Sequence, residues 1–138
     1  ISGGGWTTTV VSAIDTRIKL SFPVAGTAPI FLRNSDDGID WEQSVFDFYH
    51  IANNLELYVM GAHGKRRKQL QIVNYEDPCC FGGRRMSLYK DAIRSRVSRL
   101  GAGEFDLFMD TTSDQHVVSN IAIELIDQEI RDFKNIMK

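Results

Sequence analysis

The residue types that carry catalysis are few in this chain and stand apart from one another. Its three histidines are His50, His63 and His116. They fall at the end of an alternating apolar stretch, in a basic turn, and in the first turn expected of a C-terminal helix. Such positions fit edge or capping roles better than catalysis. Asp106 and Asp110 are four apart on a strand-like stretch and share one side of it. Paired carboxylates can do acid–base work, but nothing in the sequence marks a substrate pocket around them, and a solvated acidic edge is the simpler expectation. There is no Gly-x-Ser-x-Gly elbow, no phosphate-binding glycine loop and no His-Glu-x-x-His. Cys79 and Cys80 are adjacent. They read as reduced, structural thiols, since neighbouring cysteines rarely pair and two thiols alone do not make a zinc site. The expectation is a protein that is not an enzyme and holds no metal or cofactor.

The cations form the other constellation. From Lys65 to Arg99 the bases are Lys65, Arg66, Arg67, Lys68, Arg84, Arg85, Lys90, Arg94, Arg96 and Arg99, opposed only by Glu76, Asp77 and Asp91. The net charge is −2, which argues against indiscriminate coating of nucleic acid. A near-neutral total nevertheless allows one basic and one acidic face, and the local field is what attracts a polyanion. If Arg17, Lys19, Arg33, Arg85, Arg94 and Arg96 alternate with apolar residues along strands, they point outward from one sheet face. Together with the basic turn "GKRRKQ", which supplies Lys65, Arg66 and Lys68, they make a surface able to follow a phosphate backbone. Thr7, Thr9, Ser21, Ser87 and Ser98 would add small donors, and Tyr89, with Trp6 near the same face, a few stacking rings.

Positioning these residues takes a set of short elements within one domain spanning 1–138, since 138 residues suit one core rather than two. No apolar run is long enough to cross a bilayer. The first residue is Ile1, consistent with processing or trimming, so any targeting sequence would lie upstream. The β-branched run from Trp6 to Ile14 reads as a strand after a glycine hinge. "RIKLSFPV" alternates cleanly, with Ile18, Leu20, Phe22 and Val24 on one side. "PIFLRN" is a third strand, "NSDDG" at 34–38 a loop, and "SVFDFYH" a fourth strand. Ile51, Leu55, Tyr58 and Val59 then follow helical spacing. "KQLQIVNY", "RRMSLYK" and "EFDLFM" read as strands. "DAIRSRVSRL" (91–100) fits a basic amphipathic helix or an arginine-bearing strand; its shortness and the closing "GAG" favour the strand. Thr112 to Gln115 has the form of a capping box. After it, Val118, Ala122, Ile126, Ile130, Phe133 and Met137 form an apolar stripe, widened by Val117, Ile121 and Leu125 in a way that suits a second subunit.

The layout, four strands and a helix followed by four strands and a helix (1–64 and 65–138), resembles the Whirly fold. "DW" at Asp40-Trp41, the alternating "SVFDFYH", the helix "IANNLELYVMG" and the passage through "DTTSDQ" into a long apolar helix resemble the corresponding Whirly segments. The lysine-free first strand is more similar to the kinetoplastid mitochondrial RNA-binding branch than to the plant single-stranded DNA-binding branch. The resemblance implies an α+β, Whirly-like domain, assembled through its helices into a tetramer with a related subunit. It implies a mitochondrial protein that holds guide RNA and pre-mRNA by their phosphates and promotes their annealing in RNA editing. Single-stranded DNA binding and a non-catalytic protein-interaction subunit are the alternatives.

Overall fold

The computed structural model describes residues 1–33 and 41–136. The loop expected at 34–38, Asp40 of the "DW" pair, and Met137 lie outside these described residues. The elements run α1 (Gly3–Ile14), β1 (Leu20–Ser21), α2 (Phe46–Ile51), α3 (Asn54–Ala62), β2 (Lys68–Asn74), α4 (Lys90–Arg99), β3 (Glu104–Asp110) and α5 (Asn120–Ile136). Single 3₁₀ turns occur at Ile30–Leu32, Trp41–Gln43 and Arg84–Ser87. The strands form one sheet in the order β1-β2-β3, and both pairs are parallel. Parallel neighbours cannot be joined by a hairpin and need a crossover. Here α2 and α3 supply the first crossover and α4 the second.

The chain is therefore α+β, as expected, but two units of four antiparallel strands do not occur among the described residues. Each misread strand has a local cause. Trp6 to Ile14 lies in α1, where Thr7, Thr8 and Thr9 turn their hydroxyls back to the carbonyls of Gly3, Gly4 and Gly5 at 2.8–3.0 Å. That back-bonding lets threonine sit in a helix whose packing favours it, against its β propensity. "DAIRSRVSRL" is α4: Ile93 and Val97, one turn apart, are its buried pair. In "RRMSLYK", Met86 and Tyr89 are buried three residues apart, helical rather than strand spacing. "PIFLRN" closes as a 3₁₀ turn, and "SVFDFYH" runs into α2. The strands at 68–74 and 104–110, the helix after Asn53 and the C-terminal helix do form. The last starts at Asn120, capped by Ser119, whose Oγ accepts the Ala122 N–H at 3.0 Å. Thr112 does not cap it.

Both faces of β2 are covered, which accounts for its nearly continuous burial. Gln69 reaches Ser12 of α1 from one face, and Gly61 of α3 is pressed so close that a Cβ there would meet the Gln69 amide at 2.4 Å. Lys68 faces the other way, onto Glu129 of α5 at 2.7 Å. The core gathers Tyr58, Leu70, Ile72, Phe81, Met86, Ile93, Val97, Phe105 and Leu107. Through it run buried polar contacts such as Tyr89 Oη to Gln71 and Tyr58 Oη with Thr27.

Arg67, read in sequence as part of a basic turn, is 4% exposed. Its guanidinium donates to the carbonyls of Ile18, Met60 and His63 at 2.9–3.0 Å and also to that of Ser12. It thus closes the C-terminal turns of α1 and α3 and fixes the entry to β1. Arg67→Met keeps the stem and orphans four carbonyls. The expected loss is about 3–5 kcal/mol in urea unfolding; a loss below about 1 kcal/mol would show the clamp to be idle.

Candidate active site

The carboxyl ends of parallel strands lie along one edge of their sheet, and the loops that leave them converge there. Asn74 and Asp110 end β2 and β3 in register with each other. After them come the loops 75–83 and 111–119. Ser2 reaches the same edge from the other side. Its N–H donates to the carbonyls of Val24 and Ala25, both at 3.2 Å, while Ala25 N–H donates to Ile72 of β2 at 2.8 Å.

From the first loop comes Asp77, whose side chain is fully buried. The turn Asp77-Pro78-Cys79-Cys80 folds two backbone N–H groups onto Oδ1, Cys79 at 2.8 Å and Cys80 at 3.3 Å. Oδ2 lies 2.8 Å from Nδ1 of His116, which the second loop delivers. An ionised carboxylate only accepts, so Nδ1 carries the proton and donates it. In the neutral ring Nε2 is then the unprotonated nitrogen. Nε2 has no hydrogen-bond partner among the described residues.

His116 sits in irregular backbone, yet its loop is held on both sides. Asn74 Nδ2 donates to the carbonyls of Gln115 at 3.0 Å and Val117 at 2.9 Å, straddling the histidine. Asp110 Oδ1 accepts from Thr112 N–H at 2.8 Å and Thr112 Oγ1 at 2.6 Å, and Oδ2 accepts from Ser119 Oγ. The loop's two ends are thereby tied to the end of β3. Asp110 is 0% exposed, which corrects its reading as a solvated acid. Asp106, on the same strand face, is an ion pair with Lys90 at 2.8 Å.

Burial raises the Asp110 pKa, but the hydrogen bonds from Ser119 and Thr112 outweigh it and hold the carboxyl below its ordinary 3.8. A depressed folded-state value stabilises above the unfolded pKa and is lost as pH falls through the folded one. Asp110→Asn should therefore be less stable than the parent at neutral pH, with the gap narrowing below about pH 4. Denaturant unfolding across that range reads it, and a gap independent of pH would exclude the ionised carboxylate as the stabilising form.

Ser2 has φ 54° and ψ −133°. Among the described residues the non-glycine positions with positive φ are Ser2, Ala25 and Arg66, so two of the three meet through the Ser2 N–H to Ala25 hydrogen bond. Ser2 turns directly into α1, and its carbonyl accepts from Gly5 at 2.8 Å and Trp6 at 3.1 Å. The turn is packed too closely for side chains beneath it: a Cβ on Gly26 would lie 2.5 Å from both the Gly5 Cα and the Ser2 carbonyl oxygen. Gly3, first residue of the helix, has no acceptor within the helix for its N–H. Ser2 itself is partly exposed. Strain held in this way, at a helix entry, is typical of functional sites.

The expected cationic platform is not assembled. Arg17 is paired with Asp15 at 2.6 Å after α1, and Lys19 bonds the Thr16 carbonyl. Arg33 is half-buried over the Phe81 ring and bonded to Gln43. Lys65 and Arg66 are exposed in the turn before β2, and Lys68 is held by Glu129. Arg85 belongs to the 3₁₀ turn, and Arg94 and Arg96 lie exposed on α4. Lys68 alone of these stands on a strand, and with the others on helices and turns no strand alternation aligns them on a sheet face. Cys79 and Cys80, expected as free thiols, are joined by a disulfide.

Sequence reasoning missed Ser2, Asp77 and His116 as a set. The signal available was "ISGGG" together with the order Ser, Asp, His along the chain. Ser2 and Gly4 stand at the Ser-x-Gly spacing of the nucleophile elbow. No known family matches this chain, and no curated protein matches it.

Proposed function

We propose that this chain carries the catalytic end of a serine hydrolase acting by acyl transfer, with Ser2 as nucleophile, His116 as general base and Asp77 as its orienting acid. The observation that supports this reading most strongly is the Asp77–His116 pair at the carboxyl edge of the parallel sheet, with Nδ1 held by the carboxylate and Nε2 without a hydrogen-bond partner among the described residues. The chain order Ser, Asp, His is that of the α/β-hydrolase arrangement, in which the serine stands on a sharp turn into a helix.

The proposed roles are these. His116 Nε2 takes the Ser2 hydroxyl proton as Oγ attacks the carbonyl carbon of an ester or amide. The imidazolium that forms is stabilised by Asp77 Oδ2, whose partner Oδ1 is already fixed by two amides. The Gly3 N–H, following the nucleophile, would donate to the oxyanion. Collapse expels the alcohol or amine, which takes the proton from His116. Water, activated by the same nitrogen, then releases the acid and restores Ser2.

The test is covalent capture. A fluorophosphonate should label the chain once, at Ser2 by peptide mapping, and 4-nitrophenyl acetate hydrolysis should stop in step with labelling. Labelling at another residue, or none in a folded chain, would sink the proposal. A second reading, phosphate-led binding of single-stranded RNA, draws support from α4, where Arg94, Arg96 and Arg99 are all exposed. It calls for an RNA titration at rising salt with the parent and with an Arg94→Glu, Arg96→Glu variant; equal binding by both would remove it.

A further inference from the structure

The acid loop brings a third metal-binding atom to the Asp–His pair. A carboxylate oxygen of Asp77, a ring nitrogen of His116 and the Sγ of Cys79 all lie within 4.8 Å of one another. The disulfide between Cys79 and Cys80 occupies that sulfur. The two cysteines differ in setting: Cys80 is 8% exposed and belongs to the core, whereas Cys79 is exposed. Opening the bond would leave Cys80 packed and Cys79 beside the pair. A cavity of about 500 Å³, bordered by Asp77, Cys79 and Cys80, gives solvent access to the loop.

We propose that the Cys79–Cys80 bond gates an inhibitory zinc site: once it is reduced, Asp77, Cys79 and His116 together bind one Zn²⁺ and take the catalytic pair out of use. This rests on the hydrolase reading for its consequence, but the site itself does not. A thiolate, an imidazole and a carboxylate are the donor types zinc accepts, and the soft sulfur disfavours magnesium and calcium. Ligand bonds of about 2.0–2.3 Å place tetrahedral donors roughly 3.5 Å apart. The three atoms have to draw closer to reach that spacing, and the exposed Cys79 side chain is free to turn once the bond is open. Three protein ligands leave a fourth position for water, the coordination of an open site.

The chemistry balances. A dithiol reductant passes two electrons and two protons to the Cys79–Cys80 bond, giving two thiols, and itself closes to a disulfide. Zinc then displaces the Cys79 proton to solvent. It also claims Nδ1 of His116, whose proton moves to Nε2. A protonated Nε2 cannot take the proton of Ser2, and Asp77 Oδ2 now faces metal instead of imidazole. Inhibition therefore follows from the ligand set and requires no movement of Ser2.

The protein is reduced with a phosphine, freed of it without air, and titrated with Zn²⁺ against a chromophoric zinc indicator; an oxidised sample and Cys79→Ser are treated alike. Reduced parent should take up one equivalent more than either comparison. Its hydrolysis of 4-nitrophenyl acetate should fall as that equivalent binds and return with EDTA, whereas zinc should not change whatever rate Cys79→Ser has. Equal uptake by reduced and oxidised parent, or by Cys79→Ser, overturns the site. Cysteine-dependent uptake in a chain that hydrolyses nothing keeps the metal site and overturns its inhibitory role together with the hydrolase reading. Ser2-dependent hydrolysis with no added uptake overturns only the site.

Discussion

Ser2→Ala should lower ester hydrolysis by roughly 10⁴- to 10⁶-fold, while Ser2→Gly should lose as much activity and gain stability. The pair separates two properties of one residue. Alanine removes Oγ and leaves the side-chain carbon in the same backbone conformation, φ 54° and ψ −133°, so the strain stays. Glycine adopts that conformation freely. Relief of a sparsely populated backbone conformation is worth about 1–3 kcal/mol. The added freedom of glycine in the unfolded chain costs about 0.5–1 kcal/mol. Relief wins, and Ser2→Gly should unfold at higher denaturant than both parent and Ser2→Ala. Activity is read with 4-nitrophenyl acetate and stability by urea unfolding. If Ser2→Ala keeps more than about one tenth of the parental rate, Ser2 is not the nucleophile, since removal of an essential nucleophile is far more damaging. If Ser2→Gly is the less stable variant, the turn is not strained.

The hydroxyl matters to the reaction and the turn matters to its placement, and the close approach of Gly5 and Gly26 links them. The segment after β1 can lie under the turn only because neither residue has a Cβ. It carries Ala25, whose N–H bonds Ile72 of β2. Two residues on, Asn74 grips the carbonyls on either side of His116. A path of hydrogen bonds and β2 backbone therefore runs from the Ser2 N–H to the loop that holds His116. Asn74 touches neither reacting atom; its part is to fix the loop.

The elements legible in the sequence were those whose pattern and environment agree. The strand at 68–74 carries Leu70, Ile72 and Val73 into the core, the helix opened by Asn53 has a real capping box with Glu56, and the C-terminal helix shows a sustained apolar stripe. The failures came where side-chain chemistry overrode propensity. Three threonines in α1 satisfied their hydroxyls on the helix itself, and the glycines before them read as a hinge although Gly5 is there for a close approach. In α4 the alternation of arginines with small residues imitated a strand, while only Ile93 and Val97, spaced for a helix, are buried. The site was hidden for another reason. Ser2, Asp77 and His116 are far apart in sequence, and the hydrogen bond joining the last two spans 39 positions. Only the parallel pairing of β2 with β3 brings their loops together, and an antiparallel layout would have sent those loops to opposite edges.

Asp77→Asn is the sharpest test of how His116 works, because it preserves shape and changes only the direction of one hydrogen bond. The asparagine oxygen can still accept from Cys79 and Cys80, so the loop keeps its turn. Its amide nitrogen then faces Nδ1 of His116, and an amide NH₂ can only donate. Nδ1 must become the acceptor, and the ring proton passes to Nε2. The nitrogen that should receive the Ser2 proton is then already protonated, and no reduced sulfur or metal need intervene. The expected outcome is a fall of about 10⁴-fold in kcat with KM nearly unchanged, since the mutation removes an interaction realised in the transition state. Asp77→Ala would add a second effect, because it removes the acceptor of the Cys79 and Cys80 N–H groups and loosens the loop. The two variants should therefore share the loss of rate and differ in stability, the asparagine protein unfolding close to the parent and the alanine protein well below it. Should Asp77→Asn retain more than about a tenth of the parental kcat, the carboxylate does not set the tautomer. The buried Asp–His pair would then be a structural tie between the β2 and β3 loops.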